Sequence, residues 1–298
     1  MQKYLPEAVQ AGSGGLTAEL LRAACEENLV LQAPAAVCTE DGDLLVDLGF
    51  ATGRIPKEET AIGIRDGTVK PIAVLSRVGK PVSFRVTGME NGQYTLSRRM
   101  AQEDARRYLF RTKTPGDIIR AVITSLAPFG AFCDVGCGLT ALMGIETISV
   151  SRISHSRDRF REDQPVYAVI KDLDRELGRI SLSHRELLGT WEENAARFRA
   201  GQTVVGIVRS VQSYGAFVEL APNLSGLAEP NDDLRQGDLV SVYIKAIVPE
   251  RLKIKLVALR RLEPGSLPAK PLPYFITEGH LDIWRYGTED DPKAVTVF

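Results

Sequence analysis

Phe129-Gly130-Ala131-Phe132-Cys133-Asp134-Val135-Gly136 is the stretch that decides the fold of this 298-residue chain. Two aromatic residues enclose a Gly-Ala step, and an alternating segment that ends in glycine follows them. The pattern returns 85 residues later (129 to 214) as Tyr214-Gly215-Ala216-Phe217-Val218-Glu219-Leu220. A degenerate copy lies 87 residues upstream (134 to 47) and keeps the acid and the glycine but neither aromatic residue: Gly42-Asp43-Leu44-Leu45-Val46-Asp47-Leu48-Gly49. A fixed period of this kind predicts a structural unit that occurs three times.

The composition is that of an ordinary folded protein, with 44% hydrophobic and 25% charged residues. No apolar run approaches the roughly 18 residues that cross a bilayer. The N-terminus lacks the basic and then apolar pattern of a secretory signal, so we expect a cytoplasmic protein that contacts no membrane. The net charge of −1 gives no overall attraction for nucleic acid. Binding of nucleic acid would therefore depend on local basic clusters and base stacking.

The residues predict neither an enzyme nor a metal protein. Cys133 and Cys137 would make half of a metal site, but no second pair or nearby histidine completes it. Buried, reduced thiols are the expected state of these cysteines, with zinc as the alternative. The three histidines lie far apart, and the chain has neither a Gly-x-Ser-x-Gly elbow nor a phosphate-binding loop of the Gly-Lys-Ser/Thr type. We therefore expect a binding protein without a cofactor.

Periodicity and punctuation divide the chain into seven segments. They are an N-terminal segment with a short helix, three repeats of short strands, two helical connectors and a tail. Their predicted bounds are 1–28, 29–97, 98–113, 114–184, 185–200, 201–261 and 262–298. Residues 1–15 are expected to be frayed, and Thr17 is the expected N-cap of the first helix. The connector helices are expected over Arg98–Thr112 and His184–Phe198, from the spacing of their apolar residues.

Short strands with Gly and Pro punctuation predict a small barrel in each repeat. In the first repeat the predicted strands are Val30–Val37, Leu44–Leu48, Ala73–Leu75, Pro81–Thr87 and Gln93–Ser97. In the second they are Asp117–Leu126, Gly130–Gly136, Ala141–Ile145, Gln164–Asp172 and Gly178–Ser183. In the third they are Thr203–Val211, Ala216–Leu220, Leu239–Ile247 and Lys253–Leu259. The tail, punctuated by Pro264, Pro268, Pro271 and Pro273, is expected to form a hairpin around Glu278-Gly279 that covers the third repeat.

Phe129 and Phe132 are the candidate binding residues of the second repeat. Positions three apart face opposite sides of a regular strand, but a bulge at Gly130 would bring both rings to one face. Two exposed rings there would stack on unpaired bases; the alternative is that both rings fill the barrel core. The segment Ser151–Arg161 favours the first hypothesis, because it is a basic loop expected beside the same face. Its candidate contacts are Arg152, His155, Arg157 and Arg159.

The arginines of the first connector leave two alternatives open. They are Arg98, Arg99, Arg106, Arg107 and Arg111. They either form a solvated helix face or contact phosphates.

The second repeat resembles the RNA-binding OB-fold repeat named after bacterial ribosomal protein S-one. The resemblance rests on Gly116, on the aromatic motif, on Ser151-Arg152-Ile153-Ser154-His155 and on Gly178-Arg179-Ile180-Ser181-Leu182-Ser183-His184-Arg185. It implies a mainly β protein of three tandem five-stranded OB-fold barrels joined by helices. In this family RNA lies on a face built from two aromatics, a histidine, an acid and an arginine.

The resemblance assigns site residues one position at a time. In the second repeat Phe129 and Phe132 match the aromatics, Asp174 the acid and Arg179 the arginine, while Gly144 or Met143 occupies the histidine position. In the third repeat Tyr214 and Phe217 match the aromatics and Lys253 the arginine, while Glu229 occupies the histidine position in place of a histidine. The first repeat has Gly42 and Leu45 at the aromatic positions, Pro56 at the histidine and Gln93 at the arginine. It is therefore expected to be a barrel without the binding platform.

The resemblance implies a protein that holds single-stranded mRNA for translation on the small ribosomal subunit, chiefly through the second repeat. The first repeat is then expected to dock on the ribosome or on another protein. A regulator or adaptor that docks the same barrels on a nuclease or an RNA polymerase is the alternative.

Overall fold

Three closed five-stranded barrels follow one another along the chain. This computed structural model describes residues 2–7, 15–70, 72–90, 92–263, 272–288 and 292–298. The strands of the first barrel are β1 (Val30–Cys38), β2 (Leu44–Asp47), β3 (Thr52–Ile55), β4 (Pro81–Glu90) and β5 (Gln93–Ser97). Those of the second are β6 (Ile118–Ala127), β7 (Gly130–Asp134), β8 (Thr140–Gly144), β9 (Pro165–Asp174) and β10 (Arg179–Ser183). Those of the third are β11 (Thr203–Gln212), β12 (Gly215–Ala221), β13 (Leu224–Ala228), β14 (Leu239–Val248) and β15 (Lys253–Leu262).

The three barrels share one topology, which confirms the mainly β fold expected from the repeats. In each barrel the first three strands form an antiparallel meander, and the first strand also pairs with the fourth. A parallel pairing of the third strand with the fifth closes each barrel, as in Leu142 with Ser181 and Leu227 with Lys255.

Strands β3 and β13 were not predicted, because each is short and contains a glycine. A Cβ atom on Gly53 would lie 2.4 Å from Leu96 Cδ1, and one on Gly226 would lie 2.6 Å from Leu256 Cδ1. Both leucines are almost fully buried in their barrel cores. Glycine in these strands therefore makes room for a core leucine of the closing strand, although it weakens the strand pattern in the sequence.

The helices are α1 (Ala18–Glu26), α2 (Ile72–Leu75), α3 (Arg98–Thr112), α4 (Ile145–Ile148) and α5 (Trp191–Ala195). Thr17 caps α1 as predicted, and its side chain accepts a hydrogen bond from Leu20 N over 3.2 Å. The predicted strand Ala73–Leu75 is wrong, because these residues belong to α2. Val74 is buried while Ile72 and Leu75 are exposed, which is the outcome of a helical turn rather than of a strand.

The second connector is not the single helix predicted over His184–Phe198. A 3₁₀ turn (Arg185–Leu188) ends at Gly189, which has φ +80°, and α5 then begins anew with Thr190 as its cap. A Cβ atom on Gly189 would lie 2.6 Å from Cδ2 of Phe275, a residue of the tail. Gly189 therefore makes the sharp turn and admits the tail, so the helix cannot continue through it.

The tail forms its hairpin later than predicted. The paired strands are β16 (Ile283–Gly287) and β17 (Pro292–Val297), both of which follow the predicted turn at Glu278-Gly279. Trp284 and Tyr286 are buried in the core cluster of the third barrel, so the tail does cover that barrel. Of the predicted punctuation, Pro264, Pro268 and Pro271 lie outside the described residues.

The N-terminal residues 2–7 pack between the first two barrels, where fraying was expected. The Glu7 carboxylate accepts two hydrogen bonds from Arg98, of 2.7 and 2.8 Å, and both side chains are buried. Glu7 N also donates to Asp134 over 2.7 Å. Burial, together with the charge of Glu7, raises the pKa of Asp134. The acid of the repeated motif thus lies at a junction between repeats.

Candidate nucleic-acid interface

Phe129 and Phe132 lie side by side on the second barrel. Ala127 pairs with Gly130, so Phe129 belongs to the tight turn between β6 and β7, while Phe132 lies on β7. Their ring centroids are 6.0 Å apart, and the ring planes are nearly perpendicular, at 86°. Phe129 is 58% exposed and Phe132 is half-buried, so the two rings are not core residues.

The bulge predicted at Gly130 is in the wrong place. The register of β6 and β7 shifts between Ile123 and Ser125, on the opposite strand. The two rings share a face because one of them is in the turn. Gly130 has a different role: a Cβ atom there would lie 2.3 Å from the carbonyl oxygen of Met143. The glycine therefore allows β7 to approach β8 closely beside the rings.

One further exposed side chain, Leu142, extends the surface from β7 to β8. Leu142 pairs with Phe132 and is 37% exposed, which adds an apolar surface beside the ring. Leu142 was not predicted as a site residue, although its alternation with buried Ala141 and Met143 on a predicted strand could have indicated it. We call Phe129, Phe132 and Leu142 the second platform.

Asp174 and Arg179 lie beyond the second platform, where they pair across the β9–β10 turn. The Asp174 carboxylate accepts a hydrogen bond from Leu177 N over 2.9 Å and so shapes this turn. Arg179 is exposed, and no ion pair involves it among the residues that the structure describes. Its guanidinium is available to an anionic ligand.

A cleft next to this turn bears on the two alternatives for the first connector. Helix α3 and the β9–β10 turn enclose an open cleft of about 650 Å³. Arg106 and Arg107 line it from the helix, and Arg175 lines it from the turn. Glu103 and Glu176 also line the cleft, so its charge is mixed and it fits either alternative for the connector arginines.

The basic loop divides into surface residues and one buried residue. Arg152 and Arg157 are exposed. His155 is half-buried, and its Nδ1 accepts hydrogen bonds from Arg157 N over 3.1 Å and from Arg157 Nε over 3.3 Å. Because Nδ1 accepts, the neutral imidazole carries its proton on Nε2, which is left to donate.

Arg159, predicted as an RNA contact, lies instead at the junction with the third barrel. Its Nη1 donates to Glu219 Oε1 over 2.7 Å, and the two side chains are only 6% and 5% exposed. Its other terminal nitrogen donates to Ser149 Oγ and to the carbonyl oxygen of Pro222. A guanidinium held in this way is not free to bind phosphate.

The third barrel carries a similar surface. Tyr214 lies in the β11–β12 turn and is 60% exposed, and its ring centroid is 6.3 Å from that of Phe217 on β12. Leu227 pairs with Phe217 and is 37% exposed, as Leu142 is in the second barrel. We call Tyr214, Phe217 and Leu227 the third platform. Lys253 and Lys255 on β15 are exposed beside it.

Strand register identifies the residue at the histidine position of each barrel. Ala131 pairs with Met143, Ala216 with Ala228, and Leu44 with Ile55. The residues that follow these partners are Gly144, Glu229 and Pro56, which are therefore equivalent. Met143 is fully buried, so Gly144 holds the position in the second barrel.

A carboxylate accompanies this position in both platforms. A Cβ atom on Gly144 would lie 2.5 Å from Glu146 Oε1, so the carboxylate of Glu146 takes up that space. In the third barrel the residue is itself an acid, and Glu229 pairs with Lys245 over 3.2 Å.

The first barrel has no comparable surface at the same place, because Gly42 and Leu45 replace the aromatics and Gln93 replaces the arginine. It has a different aromatic pair, which the sequence did not suggest. Phe50 is 49% exposed in the β2–β3 turn, and its ring centroid is 6.1 Å from that of Tyr94.

The two cysteines considered for a metal site are buried. Burial raises the pKa of both Cys133 and Cys137 to about 12, so both are neutral thiols at ordinary pH. Within the described ranges, His, Cys, Asp and Glu side chains form no group of three or more that could hold a metal ion. Over the same ranges, no helix is long and apolar enough to cross a membrane.

The second barrel, and most of the chain around it, are similar to known proteins. Residues 112–185, which contain the second barrel, match the family model described as S1 RNA binding domain. Over 282 residues the chain is 30% identical to the small ribosomal subunit protein bS1 of Leuconostoc lactis, and the match covers 85% of this chain and 61% of that protein. For the bS1 protein of Staphylococcus aureus (strain N315) the identity is 28% over 249 residues, with 78% and 61% covered.

Among solved structures, a multidomain protein with nucleic acid binding domains from Streptococcus pneumoniae matches 80% of this chain and 75% of its own. Its sequence identity is 15% and its TM-score is 0.25. The chain spans about three fifths of the length of the two bS1 relatives. The second barrel therefore matches the S1 RNA binding domain model, in a chain of tandem barrels that is similar over most of its length to the small ribosomal subunit protein bS1.

Proposed function

We propose that this chain binds single-stranded mRNA on the second platform and holds it for translation on the small ribosomal subunit. The observation that carries the proposal is the pair of exposed, perpendicular rings of Phe129 and Phe132. Aromatic rings in a folded protein are ordinarily buried, and leaving a phenylalanine in water forgoes about 1.5–3 kcal/mol of burial. Stacking of a base on such a ring contributes about 1–3 kcal/mol, which offsets that loss when RNA is bound.

The charged neighbours complete the proposed site. Arg179 and Arg157 are exposed cations on either side of the platform, and each would contact a phosphate. His155 would donate from Nε2 to a phosphate or a sugar hydroxyl. Asp174, beside Arg179, would accept from a base or from a 2′-hydroxyl. Arg152 is exposed in the same loop and would add a further phosphate contact.

The proposal is restricted to unpaired RNA for a geometric reason. The bases of a double helix are stacked on each other, so their faces cannot meet the two phenylalanine rings. Binding that depended on phosphates alone would not distinguish single from double strands in this way. The third platform, with Lys253, is a second and weaker site in this proposal, because the acid Glu229 lies beside it.

The strand requirement is tested by fluorescence anisotropy with single-stranded RNA, double-stranded RNA and single-stranded DNA of the same length. We expect single-stranded RNA to bind at least about tenfold more tightly than the duplex, since one lost stacking contact is worth about 1–3 kcal/mol. Equal affinity for the duplex would contradict the proposal. A steep salt dependence would point to phosphate contacts, including those of the α3 cleft, as the main source of affinity.

The translational setting rests on the bS1 relatives, which are named as small-subunit ribosomal proteins. A role on the ribosome would imply that the protein is cytoplasmic. We further propose that the first barrel, which lacks the platform, docks on the ribosome or on another protein. Co-sedimentation with small ribosomal subunits at moderate salt tests this setting. A stable complex with a nuclease or an RNA polymerase, without ribosome association, would favour an adaptor or regulator instead.

A further inference from the structure

We infer that the basic loop of residues 151–161 joins the second and third platforms into one continuous RNA track, so that the two barrels bind a single strand together. The inference rests on the proposed function, in which the second platform stacks on bases. It goes beyond that function because it assigns the third platform and the loop to the same site.

One end of the loop lies against the second platform. Ser156 Oγ donates to the carbonyl oxygen of Ala127 over 2.8 Å. Ala127 is the last residue of β6, and only Pro128 separates it from Phe129. Within the sheet, β6 is next to β7, on the side away from Arg179. The loop therefore flanks Phe129 and Phe132 on the side opposite to the arginine.

The other end of the loop lies against the third platform. Arg159 donates to Glu219, which is two residues from Phe217 on β12. Val218 between them is fully buried in the core, so Phe217 and Glu219 are on the same outer face, about 7 Å apart along the strand. Ser151 Oγ lies 3.1 Å from Ser225 Oγ, and Ser225 pairs with Glu219.

A buried charge cluster fixes the spacing of the two platforms. Glu219 is held by Arg159 from the second barrel and by Arg209 from β11, with Arg209 Nε 2.5 Å from Glu219 Oε2. Arg209 also lies 4.0 Å from Asp158 of the loop. Arg209 directly precedes Ser210, the residue that pairs with Phe217. The loop is thus placed between the β6 side of one platform and the β11 side of the next.

The charges along this route are suited to a phosphate backbone. Arg179 begins the route, Arg157 and Arg152 lie in the middle, and Lys253 and Lys255 end it. Stacking surfaces alternate with cations, which is the pattern of grooves that bind single strands. A strand that has occupied the second platform would meet the third as an intramolecular step, which raises the overall affinity well above that of either platform.

The test is an anisotropy series with oligouridines of about 4 to 20 nucleotides, a range based on about 4–16 nucleotides per OB fold. For the unmodified chain we expect the affinity to rise by more than about tenfold once the RNA is long enough to reach both platforms. The variant Tyr214→Ala/Phe217→Ala should lose that rise, whereas Phe129→Ala/Phe132→Ala should weaken the binding of RNAs of every length. The control is Phe50→Ala, which removes a 49% exposed ring of an edge-on pair that lies off the route.

The outcomes separate this inference from the proposed function. If Tyr214→Ala/Phe217→Ala keeps the rise with length, or the unmodified chain shows none, the continuous track is wrong even though the second platform binds RNA. If Phe129→Ala/Phe132→Ala binds the short RNAs as tightly as the unmodified chain does, the proposed function itself is wrong. Thermal unfolding checks that Tyr214→Ala/Phe217→Ala is folded. If this double variant is not folded, Tyr214→Ala alone is tested in its place, because Tyr214 is 60% exposed.

Discussion

Arg159 of the second barrel and Glu219 of the third form an ion pair of 2.7 Å in which both side chains are almost completely buried. Glu219 occupies the place of Asp134 in the repeated motif, and Asp134 meets Glu7 at the junction of the first two barrels. In the second and third repeats the acid of the motif therefore lies at a junction with the preceding part of the chain. This is a structural role, distinct from the proposed binding role of the aromatic residues beside it.

Loss of this acid should destabilise the junction strongly. Glu219→Ala would deprive the buried guanidinium groups of Arg159 and Arg209 of the carboxylate that they share, which costs about 3–5 kcal/mol. The control is Lys245→Ala, which breaks an ion pair whose side chains are 59% and 66% exposed, and exposed pairs contribute about 1 kcal/mol or less. Urea unfolding of both variants checks the prediction. Equal losses in the two variants would show that the buried pair does not stabilise the junction.

Gly130→Ala should destabilise the second barrel, because its Cβ would meet the carbonyl oxygen of Met143 at 2.3 Å. Strands β7 and β8 would have to separate, and we expect a loss of about 2–4 kcal/mol in the free energy of unfolding. Gly88→Ala is the matched control, since a Cβ atom on this strand glycine meets nothing within 4 Å. An unchanged unfolding midpoint for Gly130→Ala would mean that the close approach of the strands is not needed.

The stability of the protein should fall in acid through His184. This side chain is fully buried, and burial lowers its pKa from 6.5 to about 4. Its ring nitrogens lie 3.0 Å from the carbonyl oxygen of Ile148 and 3.0 Å from the hydroxyl of Tyr274. Above pH 6.5 the ring is neutral in both the folded and the unfolded state, so this contribution is fully present.

As the pH falls from 6.5 towards 4, the unfolded state takes up a proton that the folded state does not. The wild type should then lose about 3 kcal/mol relative to His184→Gln. The measurement is the free energy of unfolding of both proteins across this pH range. A difference that stays constant with pH would show that His184 does not carry the effect.

Neutralising Glu229 should strengthen RNA binding by the third platform. Glu229→Gln removes a negative charge beside Tyr214 and Phe217 and releases Lys245, its ion-pair partner. We expect a several-fold higher affinity for long single-stranded RNA and a salt dependence steeper by about 0.7, since one more phosphate is contacted. Glu40→Gln changes the net charge equally at an exposed position of the first repeat. A similar gain in that control would mean that only the net charge matters.

Local patterns were sufficient to predict the repeats, the barrels and the exposed aromatic pairs. The period of the Phe129 motif and the alternation on its strand depend on neighbours in sequence, which a single chain displays. The same holds for Thr17, whose capping role follows from the residues next to it.

Long-range contacts account for the features that the sequence did not predict. Nothing near Arg159 in sequence distinguishes it from Arg157, but it meets Glu219 sixty residues later and is buried. Gly189 ends a helical pattern because Phe275 of the tail packs there, a contact that no local spacing reveals. The apolar run at Ala73–Leu75 has the composition of a strand, yet only Val74 reaches the core.

The proposed stacking role of the second platform can be tested by a single measurement. The decisive measurement is an anisotropy titration of Phe129→Ala/Phe132→Ala with a single-stranded RNA, beside the unmodified chain and the Phe50→Ala control. The two lost stacking contacts should weaken binding by about 2–6 kcal/mol, which is at least about thirtyfold, while the unfolding midpoint changes little. Unchanged affinity in the folded double variant, or loss of folding on truncation of these rings, would contradict it.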